Sequence, residues 1–299
     1  MHYKYTSTEV LKYIDQLILE FNSITVEGDF AGKHKSRLIG RSLDFIQHRE
    51  YVCGDDIKFI DWKVYARRDR FFVKQYQQEV NLTAYIFLDC SASMHYPEKD
   101  KNPSITKYEY GNYLASYISY ILLNQGDCVG ICKFDSKIRQ VLPASSNVNY
   151  YYKILEFLEE EIFGEQTNFG EVFKQLIGLV KKKNMVIIIS DFIDMNEKKI
   201  VKILRELSFS DIYLMILHIV DRTEELLELN YDNCILEDIE IHTIFVKTKV
   251  EEIKDYYRRE FKKILEFYKE NLNDRNIRYF TIRTELPLVE NLKFILEQQ

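Results

Sequence analysis

The chain has 299 residues, 46% of them hydrophobic and 29% charged, a balance that supports a folded core and excludes collagen-like, linker-like and disordered chains. Its 41 Lys and Arg against 47 Asp and Glu give a formal charge of −6, so no overall field favours a phosphate backbone, and nucleic acid is not an expected partner. With only 10 Gly and 4 Pro, most of the chain should be regular structure.

The first residues lack the uninterrupted apolar core of a signal peptide. Instead Val10, Leu11, Ile14, Leu17, Ile18 and Phe21 recur at helical spacing behind a Ser7 or Thr8 cap, which predicts a docking helix over Thr8 to Phe21. The stretch from Ser36 to Thr83 changes character, with alternation in LDFIQHREY and RFFVKQYQQEV and turn chemistry at Gly54-Asp55-Asp56. We therefore divide the chain into an N-terminal helix and strand-containing module, residues 1–82, and a larger domain, residues 83–299.

From Ala84 onward short apolar runs alternate with helical periods. AYIFLD precedes a helix over Tyr108 to Leu123, then come CVGICKF, IRQVLP and a helix over Tyr150 to Ile162. A helix over Gly170 to Lys182, the run MVIIISD, a helix over Glu197 to Leu207 and IYLMILHIV continue the order. CILEDIEIHTIFV reads as a hairpin inserted near 233–246, before a charged helix over Val250 to Asn273, the strand IRYFTIR and a last helix over Leu288 to Leu296. Almost wholly apolar strands alternating with helices predict an α/β fold: an open, mostly parallel, Rossmann-type sheet with helices on both faces.

The most apolar runs are far shorter than the roughly 20 residues that span a bilayer, so no membrane insertion is expected. Cys53, Cys90, Cys128, Cys132 and Cys234 are odd in number and lie mostly inside apolar runs, which favours a reducing compartment and a cytoplasmic location over a disulfide framework. Cys128 and Cys132 lack the second Cys or His pair of a zinc site and read as small buried hydrophobes. Lys181-Lys182-Lys183 and Arg258-Arg259 read as solvated helix surface.

The junction Asp89-Cys90-Ser91-Ala92-Ser93-Met94 follows an apolar strand, and ligands of open α/β sheets bind beyond strand carboxyl ends. Asp89, Ser91 and Ser93 alternate, so one loop can aim three oxygens at one point. A hard divalent ion takes oxygen ligands, and Mg²⁺ needs about six while retaining several waters. Thr167, in the EQTNFGE loop, and Asp191, ending the strand MVIIIS, stand where neighbouring loops could complete the set. The competing reading is helix capping, with Asp89 and Ser93 on one helix and Asp191 with Asp194 on another.

On these residues the sequence resembles the von Willebrand factor A fold, whose metal-ion-dependent adhesion site uses D-x-S-x-S, a threonine and an aspartate from successive loops. The resemblance implies Mg²⁺ or Mn²⁺ as cofactor. It also implies that Ser91, Ser93 and, in a ligand-bound form, Thr167 touch the ion, that Asp89 and Asp191 act mostly through water, and that a Glu or Asp of a protein partner completes the shell. Farther upstream, Gly40, Phe45, Arg49-Glu50-Tyr51, Gly54-Asp55-Asp56, Ile60-Asp61-Trp62, Ala66-Arg67 and Glu79 carry a narrower resemblance. It continues through Lys107, Gly126-Asp127, Gly130, Ser190-Asp191 and the TELPL region. These residues resemble the domain-of-unknown-function-58 family, bacterial proteins with a von Willebrand A-like domain often encoded beside MoxR-type AAA ATPases. That resemblance implies a chaperone-like or maturation role with the ATPase or its client.

The expected function is a non-enzymatic, metal-dependent protein-binding module. The alternative is a magnesium-dependent phosphotransferase or hydrolase with Asp89 as nucleophile and Asp191 as metal ligand. A haloacid-dehalogenase-like enzyme would place a second carboxylate where Ser91 stands, and neither a Walker loop nor a metal-hydrolase His motif is present. A scaffold with a vestigial metal motif is the third reading. The loop YPEKDKNPS after Met94 reads as a local elaboration at the rim. For Asp61, Trp62 and Arg67 we expect a structural role, the Trp packing the small module onto the main sheet beside an internal Asp–Arg pair.

Overall fold

A computed structural model of the chain describes residues 3–27, 45–52, 60–68, 70–76, 82–97, 105–164, 167–180, 184–193, 196–209, 212–227, 233–237, 245–274 and 276–297. The first elements are helix α1 (Thr8–Glu27), strand β1 (Phe45–Glu50), helix α2 (Trp62–Arg68) and strand β2 (Phe72–Tyr76). β1 and β2 pair antiparallel as a small sheet of their own. The main sheet uses β3 (Thr83–Asp89), β4 (Cys128–Phe134), β5 (Ile138–Ser145), β6 (Met185–Ser190), β7 (Tyr213–Val220) and, by our numbering, β10 (Ile277–Arg283). Between β7 and β10 lie β8 (Asn233–Glu237) and β9 (Phe245–Lys249), which form the expected antiparallel hairpin. The helices are α3 (Lys107–Asn124), α4 (Tyr150–Glu159), α5 (Phe169–Leu179), α6 (Glu197–Ser208), the single turn α7 (Arg222–Glu225), α8 (Val250–Leu272) and α9 (Leu288–Glu297).

The six-stranded order is β10-β7-β6-β3-β4-β5, parallel throughout except for the β4–β5 pair. Residues 135–137 are too few for a crossover, so β5 returns beside β4 as a hairpin. Its burial shows the difference: every residue of β6 is buried, whereas β5 alternates between half-buried and exposed over its first six residues and has none buried. Period-two alternation divides the core between the two faces. Ile86, Leu88, Ile187, Ile189 and Leu217 pack with Ile14, Leu114, Ile154 and Leu292 of α1, α3, α4 and α9. Phe87, Val186, Ile188 and Ile216 pack with Val172, Ile200 and Tyr268 of α5, α6 and α8.

The N-terminal segment docks as its periodicity predicts. Tyr5 and Ile14 join the first core, and the Ser7 amide donates to the Tyr117 hydroxyl at 3.1 Å. The reading of Trp62 needs correction: it stands 58% exposed rather than packed on the main sheet. Asp61 is buried and caps α2, accepting from the amides of Lys63 (2.9 Å) and Val64 (3.3 Å), while Arg67 is exposed. A seven-residue helix is too short to reveal its period, which is why α2 was not expected inside a strand-like stretch. Cys90, Cys128 and Cys132 are free thiols, and among the described residues no helix is long and apolar enough to cross a membrane. The segments holding Cys53, Gly54-Asp55-Asp56, most of YPEKDKNPS, Lys181-Lys182-Lys183 and Asp194 lie outside the described residues.

Candidate metal centre

β3 and β6 end side by side, which brings Asp89 and Asp191 to the same rim of the sheet. Asp89 is wholly buried: one carboxylate oxygen accepts from the Ser91 amide at 2.9 Å and the other from the Ser190 hydroxyl at 2.6 Å. Ser91 and Ser93 are buried as well, with their hydroxyls 3.1 Å apart. The loop is clamped from beneath, because the Cys90 amide and thiol both donate to the Phe134 carbonyl, at 2.8 and 3.0 Å.

Gly164, three residues before Thr167, is held against the serine loop. The Gly164 amide donates to the Cys90 carbonyl at 2.8 Å, and any Cβ at Gly164 would collide with that same oxygen and stand 3.0 Å from Asp135 Oδ2. Only glycine allows so close an approach of the two loops. On the other side, Phe192 adopts a left-handed φ of 51°, unusual for a bulky residue. Its amide donates to Ser190 Oγ at 2.9 Å, and its ring stacks on Phe169 at 5.2 Å and 7°. The Asp191 loop and the segment after Thr167 are thereby tied together.

The capping alternative fails on the helices themselves. α3 is capped by Thr106 in a reciprocal box with Glu109, α5 by Asn168 and α6 by Asn196. Ser91 precedes the short 3-10 turn Ala92–His95 without a side-chain capping bond. Asp89 and Asp191 do brace their own loops, the latter accepting weakly from the Ile193 amide at 3.3 Å. Thr167 is buried, yet among the described residues its hydroxyl has no hydrogen-bond partner. Such an orphan costs about 1–3 kcal/mol unless a ligand uses it.

Sequence reasoning missed the charged neighbour of this site. Lys107, matched above only through family resemblance, is completely buried, with Nζ 2.7 Å from Asp191 Oδ2 and 2.8 Å from Glu224 Oε2. Burial alone would lower its ammonium, but Asp191 and Glu224 hold it above the ordinary lysine value. Burial and then repulsion from Asp191 push the Asp89 carboxyl up to about 7, against the pull of its Ser190 and Ser91 hydrogen bonds. Two carboxylates, Asp191 and Glu224, therefore share one ammonium while Asp89 crowds Asp191 from the other side, an arrangement that a further cation would relieve. Among the described residues no cluster of three His, Cys, Asp or Glu side chains is suited to a metal. The candidate set is of another kind, two carboxylates and three hydroxyls, and its orphaned hydroxyl and crowded charge fit a hard divalent ion.

A mostly parallel six-stranded sheet with an antiparallel edge strand and helices on both faces is von Willebrand factor A-like. The chain belongs to the family described as protein of unknown function DUF58, which matches residues 47–267. Among solved structures it is similar to an aerotolerance-related membrane protein from Bacteroides fragilis, at 19% identity over 73% of this chain and 98% of that one, with a TM-score of 0.43. It is also similar to the conserved hypothetical protein BatB from Bacteroides thetaiotaomicron, at 18% identity over 73% and 97% of the two chains, TM-score 0.43. A third is proximal thread matrix protein 1 from the mussel byssus with a zinc-occupied MIDAS motif, at 15% identity over 47% and 38%, TM-score 0.32. No curated protein sequence matches the chain.

Proposed function

We propose that this protein is a metal-dependent protein-binding module in which Asp89, Ser91, Ser93, Thr167 and Asp191 hold Mg²⁺ or Mn²⁺. The buried hydroxyl of Thr167, without a hydrogen-bond partner among the described residues, carries the reading, because an ion ligated there would satisfy it. When bound, the ion supplies an electrophilic position that a carboxylate from a protein partner can fill. The chain's own residues set that electrophilicity. Three of the five donors are neutral hydroxyls, and Lys107 already offsets part of the Asp191 charge.

The placement of Asp89 argues against the phosphotransferase or hydrolase alternative. The residue has no exposure and each oxygen already accepts one hydrogen bond, so it is poorly placed to attack a substrate as a nucleophile, whereas the lone pairs that remain can still serve an ion or its water. Family resemblance suggests a cytoplasmic adaptor or maturation role, with a MoxR-type AAA ATPase or its client as the carboxylate donor. Calorimetric titration of metal-stripped protein with Mg²⁺ and Mn²⁺ tests the core of the proposal. Heat of binding that is lost in Ser93→Ala, with folding retained, supports it. Equal binding by wild type and variant refutes the assignment of the serine loop.

A further inference from the structure

The far edge of the main sheet carries a second surface, independent of the metal rim. β10 is the terminal strand, bonded to β7 on one side only. The Leu214 amide donates to the Asn276 carbonyl and the Thr284 amide to the Val220 carbonyl. In a parallel ladder with this register, the even-numbered residues of β10 bond to β7, and the backbone groups of Ile277, Tyr279, Thr281 and Arg283 face outward. Some of these are satisfied locally: Ile277 exchanges bonds with Asp274, and the Tyr279 amide donates to Asn273 Oδ1 at 3.2 Å. Among the described residues the Tyr279 carbonyl, both groups of Thr281 and the Arg283 amide are left as a short open edge.

That edge lies in a groove of about 550 Å³ rather than on a flat surface. α8 walls it on the face where Tyr268 stacks with Tyr279, and α9 on the face where Phe294 meets Phe280 edge-on. The lining holds five bases, Arg258, Lys262, Lys269, Arg278 and Arg283, against two acids. Both acids are already used, Glu225 by Arg283 and Glu266 by Lys262. Arg258, Lys269 and Arg278 have no carboxylate partner among the described residues, although the chain as a whole carries −6. Arg258 is half-buried with Nε on the Leu226 carbonyl at 2.9 Å, not the freely solvated charge its sequence context suggests. The apolar rim is marked by Phe294, 40% exposed.

We infer that β10 accepts an extended, acidic segment of a partner protein as an added strand. The open backbone groups supply the ladder, and alternate acidic side chains meet the unpaired cations. A second copy of this chain pairing edge to edge would set three unpaired cations against three more, so self-association is the less suited occupant.

The test uses the full chain and fluorescein-labelled nine-residue peptides that alternate Val with Glu, read by anisotropy at low and moderate salt. The Val–Glu peptide is expected to bind, while a Val–Lys peptide and a Val–Glu peptide with a central Pro bind at least about tenfold more weakly. Lys269→Glu/Arg278→Glu, on exposed side chains, should weaken binding by a similar factor with the thermal melt unchanged. Thr281→Pro removes an outward amide without breaking the β7 ladder and should have the same effect. Should that variant not fold, the charge pair decides. Failure of the Val–Glu peptide to bind, equal binding of the Pro peptide, or a wild-type dimer in sedimentation that Thr281→Pro dissolves would each overturn the inference.

Discussion

Two fully buried lysines stand on opposite sides of the candidate metal centre and solve the same problem differently. Lys107, toward β6 and β7, meets the carboxylates of Asp191 and Glu224. Lys133, on β4, has no carboxylate within ion-pair distance among the described residues and instead donates to the carbonyls of Phe157 (2.7 Å), Leu158 (3.3 Å) and Glu160 at the end of α4. One ammonium is held by ion pairs, the other by carbonyl dipoles with only the more distant charges of Glu160 and Glu161 in support. The consequence shows in their basicity: burial brings Lys133 down to about 8, whereas paired carboxylates keep Lys107 above the ordinary value. Buried charge is thus tolerated on the metal side because it belongs to a network, and on the β4 side because a helix end needs closing.

Removing Lys107 should break the comparison hardest. Lys107→Met leaves Asp191 and Glu224 buried without a counter-charge, and we expect a loss of about 3–5 kcal/mol in metal-free urea denaturation. Adding Mg²⁺ should restore part of that loss if the ion shares the same carboxylates; no restoration would separate Asp191 from the metal. The next effect falls where the two sides meet. Gly164→Ala forces the Cys90 and Thr167 loops apart, which should cost about 1–3 kcal/mol by overpacking and weaken metal binding in the same titration.

The smallest effect is a difference in sign between the lysines. Lys133 has a folded value below its unfolded one of 10.5, so its contribution is present above pH 10.5 and is lost as pH falls toward about 8. Lys107, raised in the folded state, contributes fully below 10.5 and loses that contribution only at higher pH. Comparing denaturation of wild type and Lys133→Met between pH 8 and 10.5 should therefore reveal a rising term in the wild type that the variant lacks. An identical slope in both would mean that the helix-end carbonyls hold the Lys133 charge without penalty.

Much of the sheet was readable because fully apolar strands leave little choice of environment: MVIIIS and YLMILHIV are buried almost throughout. Asp89 and Asp191 stood out because each follows such a strand directly. Lys107 did not, since a lysine opening a helix reads as solvated, and only tertiary packing reveals that α3 delivers it between two acids. Glu224 and Gly164 escaped for the same reason, and Ser190 was noted only through family resemblance, their roles depending on partners far away in sequence. Trp62 misled in the opposite direction: a lone Trp beside charges suggests packing, yet it rests edge-on against Tyr65 and Phe71 in an exposed aromatic group. The seven residues of α2 are too few to carry a period.

Cys90 occupies the middle of the proposed ligand loop while contributing nothing to the ligand set. Its thiol is buried, bonded to Phe134 O and pushed well above the usual thiol range, first by burial and then by the neighbouring carboxylates Asp89 and Asp135. In the closed loop it is therefore nearly inert to alkylating reagents, since the thiolate is the reactive form. Any modification must wait for the loop to lift away from β4, so the rate at which this one sulfur is trapped becomes a clock for opening of the rim.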